Sequence, residues 1–266
     1  MQHQEKWKLF SDHRVINWHE HVWYNAKREL DEALCDGLIA DLETFCHDMC
    51  VVSLPLLQQK VTAEEFRHAN RTCAQALRKY PKQLRGFGFV NPGYIRETLD
   101  EIDRCVSEYG MIGVKLYYQY TICDPVMYPM IEKCIDLDIP ILMHASKLNY
   151  HPWEQPFVSN GPHFAEIAKR YPEAKIIMAH IGGGGDWEYS LKAIADSPSI
   201  LMDISGSVCE DQIIERSVKE IGAKRILYGT DGSFSACAGK LLGADIPYED
   251  KLEIIDNKFL APYLDR

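Results

Sequence analysis

Eight short apolar runs, separated by segments with the periodicity of helices, constrain the fold of this 266-residue chain most strongly. Examples are "MCVVSLPL", "IPILMHAS" and "KRILYGTDGSF". The runs are almost continuously apolar rather than alternating, which is typical of parallel strands covered on both faces. Between two of them, "ELDEALCDGLIADLETF" predicts a helix whose apolar stripe repeats every four residues at Leu30, Leu34, Leu38 and Leu42.

The order of these segments predicts the architecture. Thr62 and Glu65 form a capping box that opens the next helix. Further helices are expected near residues 94–109, 125–138, 162–171, 186–196, 210–221 and 248–260. Eight strands, each followed by a helix, predict a (β/α)8 TIM barrel that forms a single α/β domain over residues 1–266. The alternative is an open doubly wound sheet, which usually carries a glycine-rich turn where this chain has "HEHVWYN".

Composition narrows the classes of partner. The formal net charge of -10 argues against nucleic acid and anionic membranes, which both attract positive surfaces. No apolar run is long enough to span a bilayer, and no signal-peptide pattern is visible. Nine cysteines without regular spacing fit a reducing compartment. We therefore expect a cytoplasmic protein that acts on a small molecule, and we leave assembly into a homo-oligomer open.

Polar side chains gather where the predicted strands end. Strand one contains "RVINWHEHVW", and two histidines spaced two apart on a strand share one face. The carboxyl ends of the other strands add more polar groups, so that one rim of the barrel collects His19, His21, Lys115, His144, His180 and Asp231. In such barrels the chemistry lies at this rim. Imidazoles and a carboxylate suit zinc or a similar divalent ion, which makes hydroxide from bound water near neutral pH.

The motifs carry a resemblance to a known family. "HEH", "GVKL", "LMHAS", "MAHIGG" and "LYGTD", in this order, are similar to those of the amidohydrolase superfamily. The similarity is to the group that contains aminocarboxymuconate semialdehyde decarboxylase, resorcylate decarboxylases and several lactonases. It implies one divalent metal ion, Zn²⁺ first and Mn²⁺ next, whose ligands would be His19, His21, His144 and Asp231. His180 and Asp231 would be the catalytic residues, with Asp231 as the base.

Two features depart from that family pattern. Asn17 stands where members often have aspartate, which is expected to alter a hydrogen bond behind the metal. "IDNKFLAP" replaces the stretch that commonly opens the last helix. In some two-metal relatives a strand-four lysine becomes a carbamate that bridges the ions. We instead expect one ion and an unmodified Lys115.

Four residues are candidates for substrate binding. The ammonium of Lys115 suits a carboxylate, and strand alternation places Tyr117 on the same face, whereas Tyr118 is expected to point towards the helices. Lys147 and Trp153 belong to a long connection after strand five, and long connections in compact domains are often functional.

Three functions are compatible with these residues. The leading interpretation is a metal-dependent hydrolase of a small, carboxylate-bearing ester, lactone or amide. The alternative is a metal-dependent non-oxidative decarboxylase that uses the same ligands. The third is a barrel that binds metal or ligand without turnover, against which the presence of Asp231 argues.

Overall fold

A computed structural model describes residues 2–146, 155–183, 186–206 and 208–264. Within these ranges eight parallel strands lie side by side in the same order as in the sequence. They are β1 Ile16–His21, β2 Met49–Ser53, β3 Leu84–Phe89, β4 Gly113–Leu116, β5 Ile141–Met143, β6 Ile176–Met178, β7 Ile200–Asp203 and β8 Ile226–Leu227. This order confirms the predicted (β/α)8 barrel, because a doubly wound sheet reverses its strand order part of the way along.

Helices surround the strands. In the described ranges they are α1 Gln2–Ser11, α2 Glu32–Thr44, α3 Ala63–Lys79, α4 Ile95–Ser107, α5 Tyr128–Asp136, α6 Gly161–Arg170, α7 Trp187–Ile194, α8 Ile213–Ile221, α9 Phe234–Gly243 and α10 Tyr248–Ile255. Two were not predicted: α1 is mostly polar, and α9 contains glycines that disfavour helix. No helix in these ranges combines the length and hydropathy needed to cross a membrane.

Helices α2 and α3 test two local predictions. The capping box of Thr62 and Glu65 is present at the start of α3. The four-leucine stripe of α2 is only partly right, because Leu38 and Leu42 are buried while Leu34 is 57% exposed. A spacing of four residues drifts around a helix of 3.6 residues per turn, so such a row leaves the buried face.

A β-bulge in β1 directs the side chain of His19 towards the candidate site. Trp18 and His19 together lie opposite the single residue Val51 of β2, where the pairing register shifts. A bulge of this kind interrupts strict alternation. Trp18 packs in the apolar cluster inside the barrel, and His19 follows it on the site side. The bulge therefore lets β1 supply both core packing and a site histidine from adjacent residues.

Backbone hydrogen bonds join the last strand to the first. Trp18 N donates to Tyr228 O at 2.9 Å, and Asp231 N donates to His19 O at 2.8 Å. The second bond links the segment after β8 directly to the histidine motif. Closure of the barrel thus brings Asp231 beside His19 although the two are far apart in sequence.

Candidate metal centre

The structure gathers the predicted site side chains at the carboxyl ends of the strands. His19 and His21 lie on β1 and Lys115 on β4, whereas His144, His180 and Asp231 follow β5, β6 and β8. Nitrogen or oxygen atoms of His19, His180 and Asp231 all lie within 4.8 Å of one another. His and Asp groups at this spacing can hold a divalent ion.

The remaining two histidines contact this group of three. His21 Nε2 lies 3.0 Å from Asp231 Oδ1, and His144 Nδ1 lies 3.2 Å from His180 Nε2. All four predicted ligands and His180 therefore belong to one contact network. The tightest group contains His180, which the family resemblance assigned to catalysis, in place of His21 and His144.

Asp203 and Ser205, at the end of β7, are site residues that the sequence analysis overlooked. Asp203 Oδ2 lies 2.8 Å from His19 Nδ1, and Ser205 Oγ lies 2.8 Å from His180 Nδ1. Asp203 also accepts a hydrogen bond from the backbone N–H of His180 at 2.9 Å. The signal was available in "LMDIS", since a polar pair at the end of a barrel strand meets the same criterion as the histidines.

These contacts define which histidine nitrogens carry a hydrogen and which carry a lone pair. Because an ionised carboxylate only accepts, His19 Nδ1–H donates to Asp203, and the Ser205 hydroxyl donates to the other oxygen of Asp203. Ser205 Oγ then accepts from His180 Nδ1–H. The Nε2 atoms of His19 and His180 consequently carry lone pairs directed into the site, as in metal-ligating histidines whose other nitrogen is hydrogen-bonded.

Electrostatics keep the histidines in the form that binds metals. Burial, reinforced by the charge of Lys115, lowers the pKa of His19 to about 3. Burial also lowers the pKa of His180, and that of His144 falls well below its ordinary value. For Asp231 burial alone would raise the pKa, but the hydrogen bond to His21 and the histidine charges lower it below its usual range. At neutral pH the site therefore presents neutral imidazoles at His19, His144 and His180 and an ionised carboxylate at Asp231.

One buried atom supports the fit of a metal ion. Nε2 of His144 is shielded from solvent and has no hydrogen-bond partner among the described residues. An unpartnered buried nitrogen is costly, so such atoms in native proteins usually have a role that needs them free. The donor set also contains no thiolate, which fits borderline or hard divalent ions rather than soft ones. The residues present therefore fit a divalent metal.

Two site segments have unusual backbone conformations. His180 and the β-branched Ile181 have φ angles of 60° and 50°, and Asp231 has a φ of 47°. Such left-handed angles are unfavourable for residues other than glycine, above all for a branched side chain. Strain of this type is concentrated at functional sites, where the surrounding structure holds it in place.

Lys115 and Tyr117 lie beside the histidines. Lys115 is fully buried, and its Nζ lies 3.0 Å from His19 Nε2 and 4.8 Å from the centre of the Tyr117 ring. Burial lowers the pKa of Lys115 to about 8, so the amine stays mostly protonated at neutral pH. The hydroxyl of Tyr117 lies 3.2 Å from His21 Nε2. Both side chains can therefore contact a molecule bound at this centre.

Three further predictions concern the surroundings of the site. Lys147 and Trp153 lie outside the described residues. The expectation that Tyr118 points away is wrong, because its ring centre lies 5.8 Å from that of His144. Strand β4 ends at Leu116, so strand alternation no longer determines the direction of the tyrosines that follow.

Comparisons with known proteins show related sequences and folds. The chain is 22% identical to 2-amino-3-carboxymuconate-6-semialdehyde decarboxylase of Dictyostelium discoideum, over 63% of this chain and 56% of that protein. It is 28% identical to gamma-resorcylate decarboxylase of Polaromonas sp., over 64% of this chain and 66% of that protein. The chain thus spans between half and two thirds of the length of these relatives.

A solved structure shows the same fold. The dihydroxybenzoic acid decarboxylase of Polaromonas sp., which holds manganese and the inhibitor 2-nitroresorcinol, aligns with a TM-score of 0.74 at 19% identity. The alignment covers 96% of this chain and 98% of that one.

The expectation of hydrolysis as the leading activity is wrong. The two curated relatives described above are decarboxylases, which favours the alternative that the sequence analysis kept open. The physical reason is that histidine and aspartate ligands with a nearby acid or base serve either reaction. The ligand motifs alone therefore do not separate hydrolysis from decarboxylation.

The family model described as "Amidohydrolase" matches residues 40–257, which include the site residues from β4 to β8. This match covers most of the chain, and the histidine motif of β1 precedes it. Together with the barrel and its polar carboxyl-terminal rim, it shows that the chain belongs to the amidohydrolase family.

Proposed function

We propose that this protein is a metal-dependent, non-oxidative decarboxylase of a small aromatic or enoic carboxylic acid. The observation that carries the proposal is the buried ammonium of Lys115 beside a group of neutral histidines and one carboxylate. A buried cation without a carboxylate contact among the described residues suits a carboxylate on the substrate. The activities of the curated relatives from Dictyostelium and Polaromonas, both decarboxylases, support the same reaction class.

The proposed ligands are His19, His21, His144 and Asp231, which would hold one divalent ion, Zn²⁺ or Mn²⁺. Neutral imidazoles and an ionised carboxylate bind both metals. When bound, the ion supplies positive charge that stabilises the electron pair left on the substrate as CO2 departs. The lone pair on Nε2 of His19 and the unpartnered Nε2 of His144 support this assignment.

The residues of the chain would divide the remaining work. Lys115 pairs with a carboxylate of the substrate, and the ring of Tyr117 lies against the same space. The bond between the substrate carbon and its carboxylate breaks, its electron pair stays on the carbon, and a proton replaces the CO2. His180 is the proposed proton carrier, because Ser205 and Asp203 can stabilise its protonated ring. Asp231 is less suited to carry the proton, because it is also one of the proposed metal ligands and its lowered pKa keeps the carboxylate ionised.

The cellular setting is also part of the proposal. All nine cysteines are free, in keeping with a reducing cytoplasm. Assembly into a homo-oligomer and a single domain over residues 1–266 stay predictions. The acidic net charge favours a small-molecule substrate over nucleic acid.

A substrate panel tests the proposal. The metal-loaded protein is incubated with aromatic acids, enoic acids, lactones and amides, while CO2 release and acid release are followed separately. The proposal expects CO2 from at least one carboxylic acid and a rate that falls after chelation. Acid release from a lactone or amide, with no CO2 from any acid, would contradict it.

A further inference from the structure

Asp231 lies in a turn whose backbone is unfavourable. Its φ is 47° and that of the following Gly232 is 74°, so two consecutive residues are left-handed. Glycine adopts this conformation freely and aspartate only at a cost. The direction of the Asp231 carboxylate depends on this turn, so whatever fixes the turn also fixes the candidate ligand.

Side chains of β1 hold the turn on both sides of Asp231. Asn17 Oδ1 accepts from the backbone N–H of Thr230 at 3.1 Å, and Asn17 Nδ2 donates to Thr230 Oγ1 at 2.6 Å. Glu20 Oε1 accepts from the backbone N–H of Gly232 at 2.7 Å and from the Thr230 hydroxyl. The residue before Asp231 and the residue after it are thus both fastened to the strand that carries the histidine motif.

The bulge in β1 allows Asn17 and Glu20 to form these hydrogen bonds at the same time. Residues three apart in a regular strand point to opposite faces, yet Asn17 and Glu20 both reach Thr230. The extra residue between them restores a common face. The same bulge therefore directs His19 into the site and places Asn17 and Glu20 together behind it.

Each hydrogen bond in this network has only one possible donor. The Oδ1 atom of Asn17 accepts two backbone N–H groups, those of His19 and Thr230, which fixes the orientation of the amide. Its Nδ2 must then donate to the Thr230 hydroxyl, whose single hydrogen goes to Glu20. All three side chains are buried, so water does not substitute for a missing partner at low cost.

An aspartate at position 17 would not fit this network. In its ionised form it could accept the two backbone N–H groups but could not donate to Thr230, whose one hydrogen would then face two carboxylates. Two buried carboxylates joined through one hydroxyl also repel each other. The asparagine that departs from the family pattern is therefore matched to the glutamate inside the histidine motif.

We propose that Asn17, Thr230 and Glu20 act as positioning residues that fix the Asp231 turn for metal binding, and that Asn17 is required because position 20 is glutamate. This inference rests on the metal centre of the proposed function and not on the reaction. Partners behind the ligands of metal sites typically change metal affinity by about 10- to 100-fold when they are removed. Metal affinity is therefore the quantity to measure.

Thr230→Val tests the network against a purely structural role. Its matched control is Thr98→Val, which removes the bond of another fully buried threonine to a backbone carbonyl of Asn91, outside the site. We expect both variants to lower the melting temperature, and only Thr230→Val to raise the Kd for Zn²⁺, by about tenfold or more. Thr230→Ser keeps the hydroxyl and should restore the affinity to within about threefold of the parent.

Substitutions that change the charge of positions 17 and 20 test the pairing of Asn17 with Glu20. They can be measured even if Thr230→Val does not fold. Asn17→Asp should weaken Zn²⁺ binding, and adding Glu20→Gln should recover part of the loss because one buried charge is removed. The Kd is measured by competition with a chromophoric chelator, with circular dichroism as a check of folding.

Three results separate the possible failures. Equal Kd values in the parent, Thr230→Val and Asn17→Asp would overturn this inference while leaving the metal centre intact. A parent protein that binds no divalent ion would overturn the proposed function together with it. A double variant that binds metal no better than Asn17→Asp would contradict the pairing.

Discussion

The amine of Lys115 lies 3.0 Å from Nε2 of His19, the nitrogen that points into the candidate metal centre. Because the other ring nitrogen, Nδ1, carries the hydrogen and donates it in a hydrogen bond to Asp203, the lone pair of His19 lies on Nε2 and faces the Lys115 ammonium. A divalent ion needs the same lone pair. Metal binding through His19 would therefore displace the ammonium and release it for a substrate carboxylate.

This relationship predicts opposite effects of Lys115→Met on metal and substrate. Removal of a buried positive charge should tighten Zn²⁺ binding by about tenfold. Loss of the carboxylate partner should raise KM by a similar factor or more. Chelator competition and steady-state kinetics measure the two effects, with the exposed Lys219→Met as control.

Two outcomes would contradict this account. If the Kd for Zn²⁺ and the KM both stay at the parental values, Lys115 contributes to neither metal binding nor substrate binding. Loss of one or both of two bound ions in Lys115→Met would instead show that a modified lysine bridges two metals.

His180 is predicted to deliver the proton to the substrate and not to bind the metal. His180→Asn should keep the metal content at one equivalent per chain and lower kcat by about 10²-fold or more. Elemental analysis and CO2 release on the same samples separate the two roles, and His13→Asn at an exposed position is the control. Loss of the metal in His180→Asn would make His180 a ligand, as its closeness to His19 and Asp231 allows.

His47 should make the fold sensitive to acid. The ring packs against Phe10, Phe45, Tyr228 and Phe234, and neither nitrogen has a hydrogen-bond partner among the described residues. Burial lowers the pKa of His47 to about 4. Between its ordinary value and this one, only the unfolded chain takes up the proton, so stability is lost as the pH falls through this window.

The effect can be measured with His47→Leu. From pH 7.5 to pH 5 the parent should lose about 2 kcal/mol of unfolding free energy that the variant keeps. Urea unfolding in saturating metal at both pH values gives the difference, with His13→Leu as a control. A difference that does not change with pH would show that His47 is not buried in neutral form.

The sequence predicted the strand order and the polar strand ends, because both follow from short-range patterns. Buried parallel strands are apolar throughout, and polar residues such as His144 and Asp231 stand out where the strands end. Asp203 met the same criterion and was missed only because aspartate and serine are less conspicuous than histidine. Helix α1 was missed because it is mostly polar and shows no clear apolar stripe, and α9 was missed because its glycines disfavour helix.

Other features depend on contacts that short-range patterns do not encode. One such feature is the bulge of β1. Another is the set of hydrogen bonds from Asn17 and Glu20 to Thr230, which forms only when the segment after β8 lies beside β1. Hydrolysis and decarboxylation share one donor set, so the motifs could not rank them. That ranking came from the relatives.

The most direct test is the rate of CO2 release as metal is added back to chelator-treated protein. With the best acid from the panel, the account predicts a rate that rises in proportion to added Zn²⁺ or Mn²⁺ and saturates at one equivalent per chain. In D2O the product should carry one deuterium at the carbon that lost CO2. A rate that does not depend on metal, or metal-dependent acid release from an ester, lactone or amide without CO2, would contradict the central claim.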